Sequence, residues 1–334
     1  MNAVAPGKVI LSGEHSVVYG APAIALAVSE SIAARFLPTG STSVSIPENT
    51  LAIDSGSGPC GALALSDLDR LKVKLDQRYT EFEAGQRAVE TLLDRSDDLL
   101  LYALAQIGSC PAGIVQTSST LPTGSGMGSS AAAIAATLTL AEQLSGNHLT
   151  QAERFERVRY CERLQHGRGS AIDAAAVTYG GLVRVQGGAV QRLDCHLGKG
   201  WFRVQTGRPS VTTGQCVAAV REQKFDAALW QQFADITDQL PDALQDQVRL
   251  ISLLRQNHRL LDTIGVVPAK VRAFIEDVEA LGGAAKISGA GAHQGDAGGL
   301  VLCYLPDGDL TALCDRYQYS LSSLTEDSQG ARCV

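Results

Sequence analysis

Leu121-Pro122-Thr123-Gly124-Ser125-Gly126-Met127-Gly128-Ser129-Ser130-Ala131-Ala132-Ala133 is the stretch whose reading decides the fold. Glycines stand at alternate positions 124, 126 and 128, two serines follow, and the chain then enters an alanine-rich run. Glycine has no Cβ and adopts positive φ freely, so such a loop leaves its backbone N–H groups uncovered. A helix opening at Ser129 adds unpaired first-turn N–H groups and the positive end of its dipole. Together these predict an anion cradle, suited above all to phosphate. A tight turn closed by a serine cap is the plainer account of the same residues.

Composition narrows the field. At 334 residues the chain is long enough for two domains. Hydrophobic residues make up 45% and charged residues 19%, which suits a well-packed enzyme-like protein and not a disordered one. A net charge of -7 argues against nucleic acid as the main partner, since phosphate backbones are bound by clustered Lys and Arg. The eight cysteines are scattered singly, with no C-x-x-C pair, and read as reduced thiols of a cytoplasmic protein. The N-terminus lacks a signal peptide's basic and apolar regions, and the apolar run 131–141 is too short to span a bilayer, so no membrane partner is expected.

Working outward from the glycine loop, residues 112–119 read as the strand that delivers it, and a helix is expected from Ser129 to Leu144, stopped by Gly146. Residues 3–12 read as a strand interrupted by a turn at Pro6-Gly7, with Lys8 at or near the start of a buried strand or else on an exposed edge. Gly13 to Gly20 gathers Glu14, His15 and Tyr19 in one glycine-bounded loop, either a substrate loop or an exposed turn. Ala23–Val28 and Ser31–Leu37 read as two strands of a hairpin. Residues 38–66 read as irregular edge strands and a long loop, with apolar islands at 44–46 and 51–53, and 67–107 carry helical spacing.

Downstream, the wheel of Gln151–His166 puts Glu162 on the apolar face with Phe155, Val158 and His166. A carboxylate there needs a partner, which Arg159, Arg163 or a metal ion could supply. Asp173 follows Ser170 at S-x-x-D spacing, so it is either the acid of a capping box or an ionised carboxylate aimed at a ligand. A hairpin is expected across Gly187-Gly188, with the domain boundary there, dividing the chain into 1–188 and 189–334. Then come a strand at 201–205, a helix capped by Thr212 and Thr213, helices through 225–281, and a second glycine-rich loop at 286–299 entering a strand at 300–305.

The first loop lacks G-x-x-x-x-G-K-[ST], which excludes a P-loop, and Ser129 breaks the dinucleotide fingerprint, which makes a dehydrogenase the weaker reading. Ser130 with Glu162 is a sensible oxygen pair for Mg²⁺. Ala5 to His15, Pro122 to Ala132 and Lys286 to Gly291 resemble, in order, the three motifs of the GHMP small-molecule kinases. The continuation through Val17-Val18-Tyr19-Gly20 looks like the mevalonate kinase branch.

That resemblance implies a two-domain α/β (α+β) fold: an N-terminal domain of the ribosomal protein S5 domain 2-like type, a C-terminal ferredoxin-like α+β domain, and the site in the cleft between them. It implies ATP and Mg²⁺ as cofactors, and phosphorylation of mevalonate to 5-phosphomevalonate in isoprenoid biosynthesis. Another GHMP kinase, acting on phosphomevalonate, homoserine or a sugar, and a non-catalytic ligand-binding paralogue are the alternatives; a homodimer is compatible with each. Carried residue by residue, Asp173 and Lys8 become catalytic, and Glu14, His15 and, more weakly, Thr213 meet the alcohol. The ATP phosphates fall to Pro122, Gly124, Ser125, Gly126, Met127, Gly128, Ser129 and Ser130. Ser130 and Glu162 take the metal, and Ser288, Gly289, Ala290 and Gly291 support the site as the third motif. The chain departs from that pattern where Ala292 to Asp296 lengthen the third loop and where Ala171 replaces a common glycine.

Overall fold

A computed structural model describes residues 1–40, 46–56, 58–108, 110–122 and 124–334. Most of the island at 44–46, and Thr123 within the glycine loop, lie outside the described residues. The strands are β1 (Asn2–Ser12), β2 (Ala23–Pro38), β3 (Thr50–Asp54), β4 (Pro59–Ala64), β5 (Gly113–Ser119), β6 (Leu182–Gln186), β7 (Ala189–Arg192), β8 (Trp201–Gln205), β9 (Ala284–Ser288), β10 (Leu300–Tyr304), β11 (Ser320–Ser323) and β12 (Arg332–Cys333). The helices are α1 (Leu68–Glu83), α2 (Asp98–Ala105), α3 (Ser129–Ser145), α4 (Gln151–His166), α5 (Ala171–Tyr179), α6 (Thr213–Glu222), α7 (Ala227–Ala243), α8 (Gln247–Thr263), α9 (Ala269–Ala280) and α10 (Thr311–Tyr317).

The larger sheet runs β12-β1-β2-β5-β3-β4, with the β6–β7 hairpin beside the first half of β2 and β5 beside its second half. The smaller sheet has the order β11-β8-β10-β9 and is antiparallel throughout. Numbered within its own half this is 4-1-3-2 with the sequence β-α-β-β-α-β, once α6 to α9 are taken as one helical crossover, which is the ferredoxin-like arrangement.

Three sequence expectations need correction. Pro6-Gly7 is a register shift inside one continuous strand and not a turn; a Cβ on Gly7 would lie 2.3 Å from Leu121 Cδ2, so the glycine serves close packing against the entry to the glycine loop. Lys8 consequently sits in mid-strand. The hairpin expected across 23–37 is the single long strand β2: Ser29 and Glu30 interrupt its pairing with β1, but Ser29 N–H finds Thr325 O at 2.9 Å and the strand continues. Lys286 to Ser288, read as loop, belong to strand β9.

The boundary drawn at 188 would cut the β6–β7 hairpin. Both strands stay with the larger sheet, sheet membership changes only between Arg192 and Trp201, and β12 brings the C-terminus back to β1. The hairpin's glycine pair was legible, but a pairing partner 160 residues upstream was not.

The helices around the site begin and end for local reasons. Gly128 (φ 70°) and Gly146 (φ 75°) bracket α3, whose alanines make it thin enough to pack against both β1 and β2. Thr150 and Glu153 form a full capping box at the start of α4, and Ser170 Oγ accepts from Asp173 N–H at 3.2 Å at the start of α5.

Candidate active site

Lys8 is the hub. It is 5% exposed, its backbone N–H donates to Met127 O at 2.9 Å, its Nζ donates to Gly126 O at 2.9 Å, and the same Nζ lies 3.1 Å from Asp173 Oδ1. One buried cation thus joins strand β1, the glycine loop and the N-terminus of α5. Ser170 Oγ caps the Asp173 N–H, but the Asp173 carboxylate does not return to the Ser170 N–H as a capping box would; it pairs with Lys8 instead.

The loop alternates as its sequence does. Gly124 and Gly126 are exposed with φ of 68° and 71°, while Ser125 and Met127 turn inward at 5% and 1% exposure. A Cβ on either glycine would meet nothing within 4 Å, so these two are needed for conformation and for open approach. Gly128 differs: its Cβ would press on the Lys8 stem at 3.0 Å. Pro122 is half-buried at the loop's entry, and Ser129 is exposed in the first turn of α3.

Glu162 lies 1% exposed on the buried face of α4 with Phe155 and Val158, but His166 falls on the exposed side. Neither arginine neighbour reaches it: Arg159 lies near Glu156 and Arg163 pairs with Asp76. Its Oε2 is buried with no hydrogen-bond partner. Burial first, and Asp173 second, push its carboxyl well above the usual range, while Lys8 and the Ser170 N–H pull the other way. Two carboxylates facing one lysine leave a net negative corner, which a divalent cation fits. Ser130 Oγ donates to Gln165 Oε1 at 2.9 Å, so its expected partner Glu162 is not in hydrogen bond with it. Among the described residues no group of three or more His, Cys, Asp or Glu side chains is arranged to hold a metal.

Glu14 and His15 are placed against the third motif. Glu14 Oε1 pairs with Lys286 Nζ in a short contact between two side chains at 1% and 0% exposure. Burial raises the Glu14 carboxyl and lowers the Lys286 ammonium, each offset by the other. His15 Nε2 is 2.9 Å from Ala290 O, and burial holds its imidazole below its ordinary value. Ser288 Oγ binds both the N–H and the O of Ile10, at 2.8 and 3.1 Å. First and third motifs are therefore stitched together across the two sheets by side chains. Thr213 is exposed at the start of α6, with Thr212 as the actual cap, and α6 reaches the third motif through Cys216 Sγ, 3.1 Å from Ala290 O. The lengthened loop folds over the segment after β8: Gly298 N–H meets Thr206 Oγ1 at 3.0 Å and Ser210 Oγ meets Gln294 O at 3.1 Å.

The model of the GHMP kinases N terminal domain matches residues 87–181, which hold the glycine loop, Glu162 and Asp173. Over that segment the chain is similar to the GHMP kinases. The chain is 29% identical over 306 residues to the mevalonate kinase of Pyrococcus furiosus, covering 86% of each chain. It is 28% identical over 330 residues to that of Methanothermobacter thermautotrophicus, covering 93% of each. The crystal structure of Methanococcus jannaschii mevalonate kinase superposes with a TM-score of 0.78 at 18% identity, covering 98% of both chains, and shows the shared GHMP kinase fold.

Two residues around the site escaped the sequence reading. Gln165, one turn from Glu162, carried no signal. Lys286 did: a lysine inside Ala284-Ala285-Lys286-Ile287 is an apolar strand with one cation, which demands a buried carboxylate just as Lys8 does.

Proposed function

We propose that this chain transfers the γ-phosphoryl group of ATP to the primary hydroxyl of mevalonate, giving 5-phosphomevalonate and ADP. The observation that carries the reading is Lys8, which ties Asp173 to the carbonyl of Gly126 at the floor of the glycine loop. The sequence likeness to mevalonate kinases over most of the chain supports the substrate.

In this reading the backbone N–H groups of Gly124 to Ser130 and the first turn of α3 hold the phosphates. Mg²⁺ bound at Glu162 and Ser130 would offset charge on the phosphate oxygens. Asp173, with Lys8 fixing its Oδ1, accepts the hydroxyl proton as the oxygen attacks. The Lys8 ammonium favours the charged oxygens around it, and it is held before substrate arrives, so little reorganisation is required. Glu14, His15 and Thr213 face the alcohol. Reduced, mostly buried thiols fit work in the cytoplasm: of the described cysteines five are buried, and burial lifts the Cys216 thiol to about 11.

A coupled ADP-release screen over mevalonate, phosphomevalonate, homoserine and galactose tests the assignment. ADP release with mevalonate alone is expected. Turnover only with another alcohol would keep the chemistry and overturn the substrate.

A further inference from the structure

We propose that Lys286 is a positioning residue for the alcohol: it holds one oxygen of Glu14 so that the other, left without a partner in the fold, receives a substrate hydroxyl. This rests on the kinase reading above and names a device within it.

The geometry is specific. Lys286 is fully buried in β9, 272 residues from Glu14, and among the described residues its polar contacts are Glu14 Oε1 and, at 3.4 Å, Ile10 O. Glu14 Oε2 is equally buried and has no hydrogen-bond partner. An isolated buried acceptor is costly, and a fold that needed only an ion pair would satisfy both oxygens. His15 repeats the pattern. Its Nε2 is committed to Ala290 O, its Nδ1 is buried and unpartnered, and its backbone is held at φ 59°, a conformation that residues other than glycine seldom adopt.

A ring whose Nε2–H donates to a carbonyl presents Nδ1 as an acceptor. Two unmet acceptors on successive residues, one of them a carboxylate, call for O–H donors and disfavour a second carboxylate. The corner therefore selects a hydroxyl of the alcohol. Strained backbone and unmet polar atoms in one place mark a binding function more than a structural one. Lys286 touches no substrate in this arrangement; it acts through Glu14.

The test is a double-mutant cycle of Lys286→Met, Glu14→Gln and the pair together, with the Michaelis constants of alcohol and ATP measured separately. Lys286→Met is expected to raise the alcohol KM on the order of tenfold, as for a site left with mismatched polar groups, with the ATP KM little changed. Raising the pH should recover part of that loss, because Glu14 without its cation ionises only at higher pH. The double variant should match Glu14→Gln alone, because Lys286 has nothing to position once the carboxylate is gone. If the single Lys286 variant does not fold, the double variant, which leaves no unbalanced charge, still makes the comparison. Additive effects, or an equal rise in the ATP KM, would overturn the proposal and leave Lys286 as fold support. A wild-type chain inactive on every alcohol would instead remove the kinase reading and this inference with it.

Discussion

Gly128→Ala separates two reasons for a glycine in the phosphate loop. The residue sits at φ 70°, ψ 33°, and Gly124 sits at φ 68°, so alanine at either position carries a left-handed penalty of roughly 1–2 kcal/mol. The surroundings differ. At Gly124 the added methyl meets open space, whereas at Gly128 it stands 3.0 Å from Lys8 Cγ and 3.2 Å from Cε, inside the 3.4–4 Å of ordinary contact. The Lys8 stem must retreat by a few tenths of an ångström, and its Nζ is held only by the 3.1 Å and 2.9 Å contacts to Asp173 and Gly126. Since a misplacement of about 1 Å at a reacting centre costs around a hundredfold, a shift of this size should lower kcat on the order of tenfold. Both variants should lose similar stability in thermal unfolding. Steady-state kinetics at saturating ATP should then show the kcat loss only for Gly128→Ala, with Gly124→Ala changing mainly the ATP KM. Equal kcat losses in the two, or none in Gly128→Ala, would refute the claim that Gly128 makes room for Lys8.

Asp173→Ala should keep the fold, as judged by circular dichroism, and lose turnover by about a hundredfold or more, the range for a general base. Glu162→Gln should raise the Mg²⁺ concentration for half-maximal activity by roughly tenfold or more, as even partners of metal ligands do when altered; an unchanged Mg²⁺ titration would remove Glu162 from the metal site. His258 on α8 is 2% exposed with an unpartnered Nδ1, and burial holds it down to about 4 from 6.5. A depressed histidine favours the fold above its unfolded value, so its contribution, about 3 kcal/mol, is lost as pH falls from 6.5 through 4. Urea titrations at pH 7 and pH 4 should show that loss in the wild type and a smaller one in His258→Gln.

The sequence by itself determined whatever rests on neighbours along the chain. Alternating glycines before an alanine run specify a phosphate loop opening a helix, because positive φ and free N–H groups are local properties. Helix α4 was legible from its period, and its wheel placed Glu162 inside before any partner was known. S-x-x-D at Ser170 located the N-terminus of α5. Tertiary structure decided the rest, because partners in space are not partners in sequence. Pro6-Gly7 has the signature of a turn, yet pairing along β2 keeps β1 continuous and puts Lys8 between Gly126 and Asp173. Glu14 and His15 read as residues of an open loop, and only the approach of β9 gives them Lys286 and Ala290 and leaves one acceptor free on each. Long-range electrostatics made that choice: a charge taken into a dry interior must find its opposite, and the opposite lay at the far end of the chain.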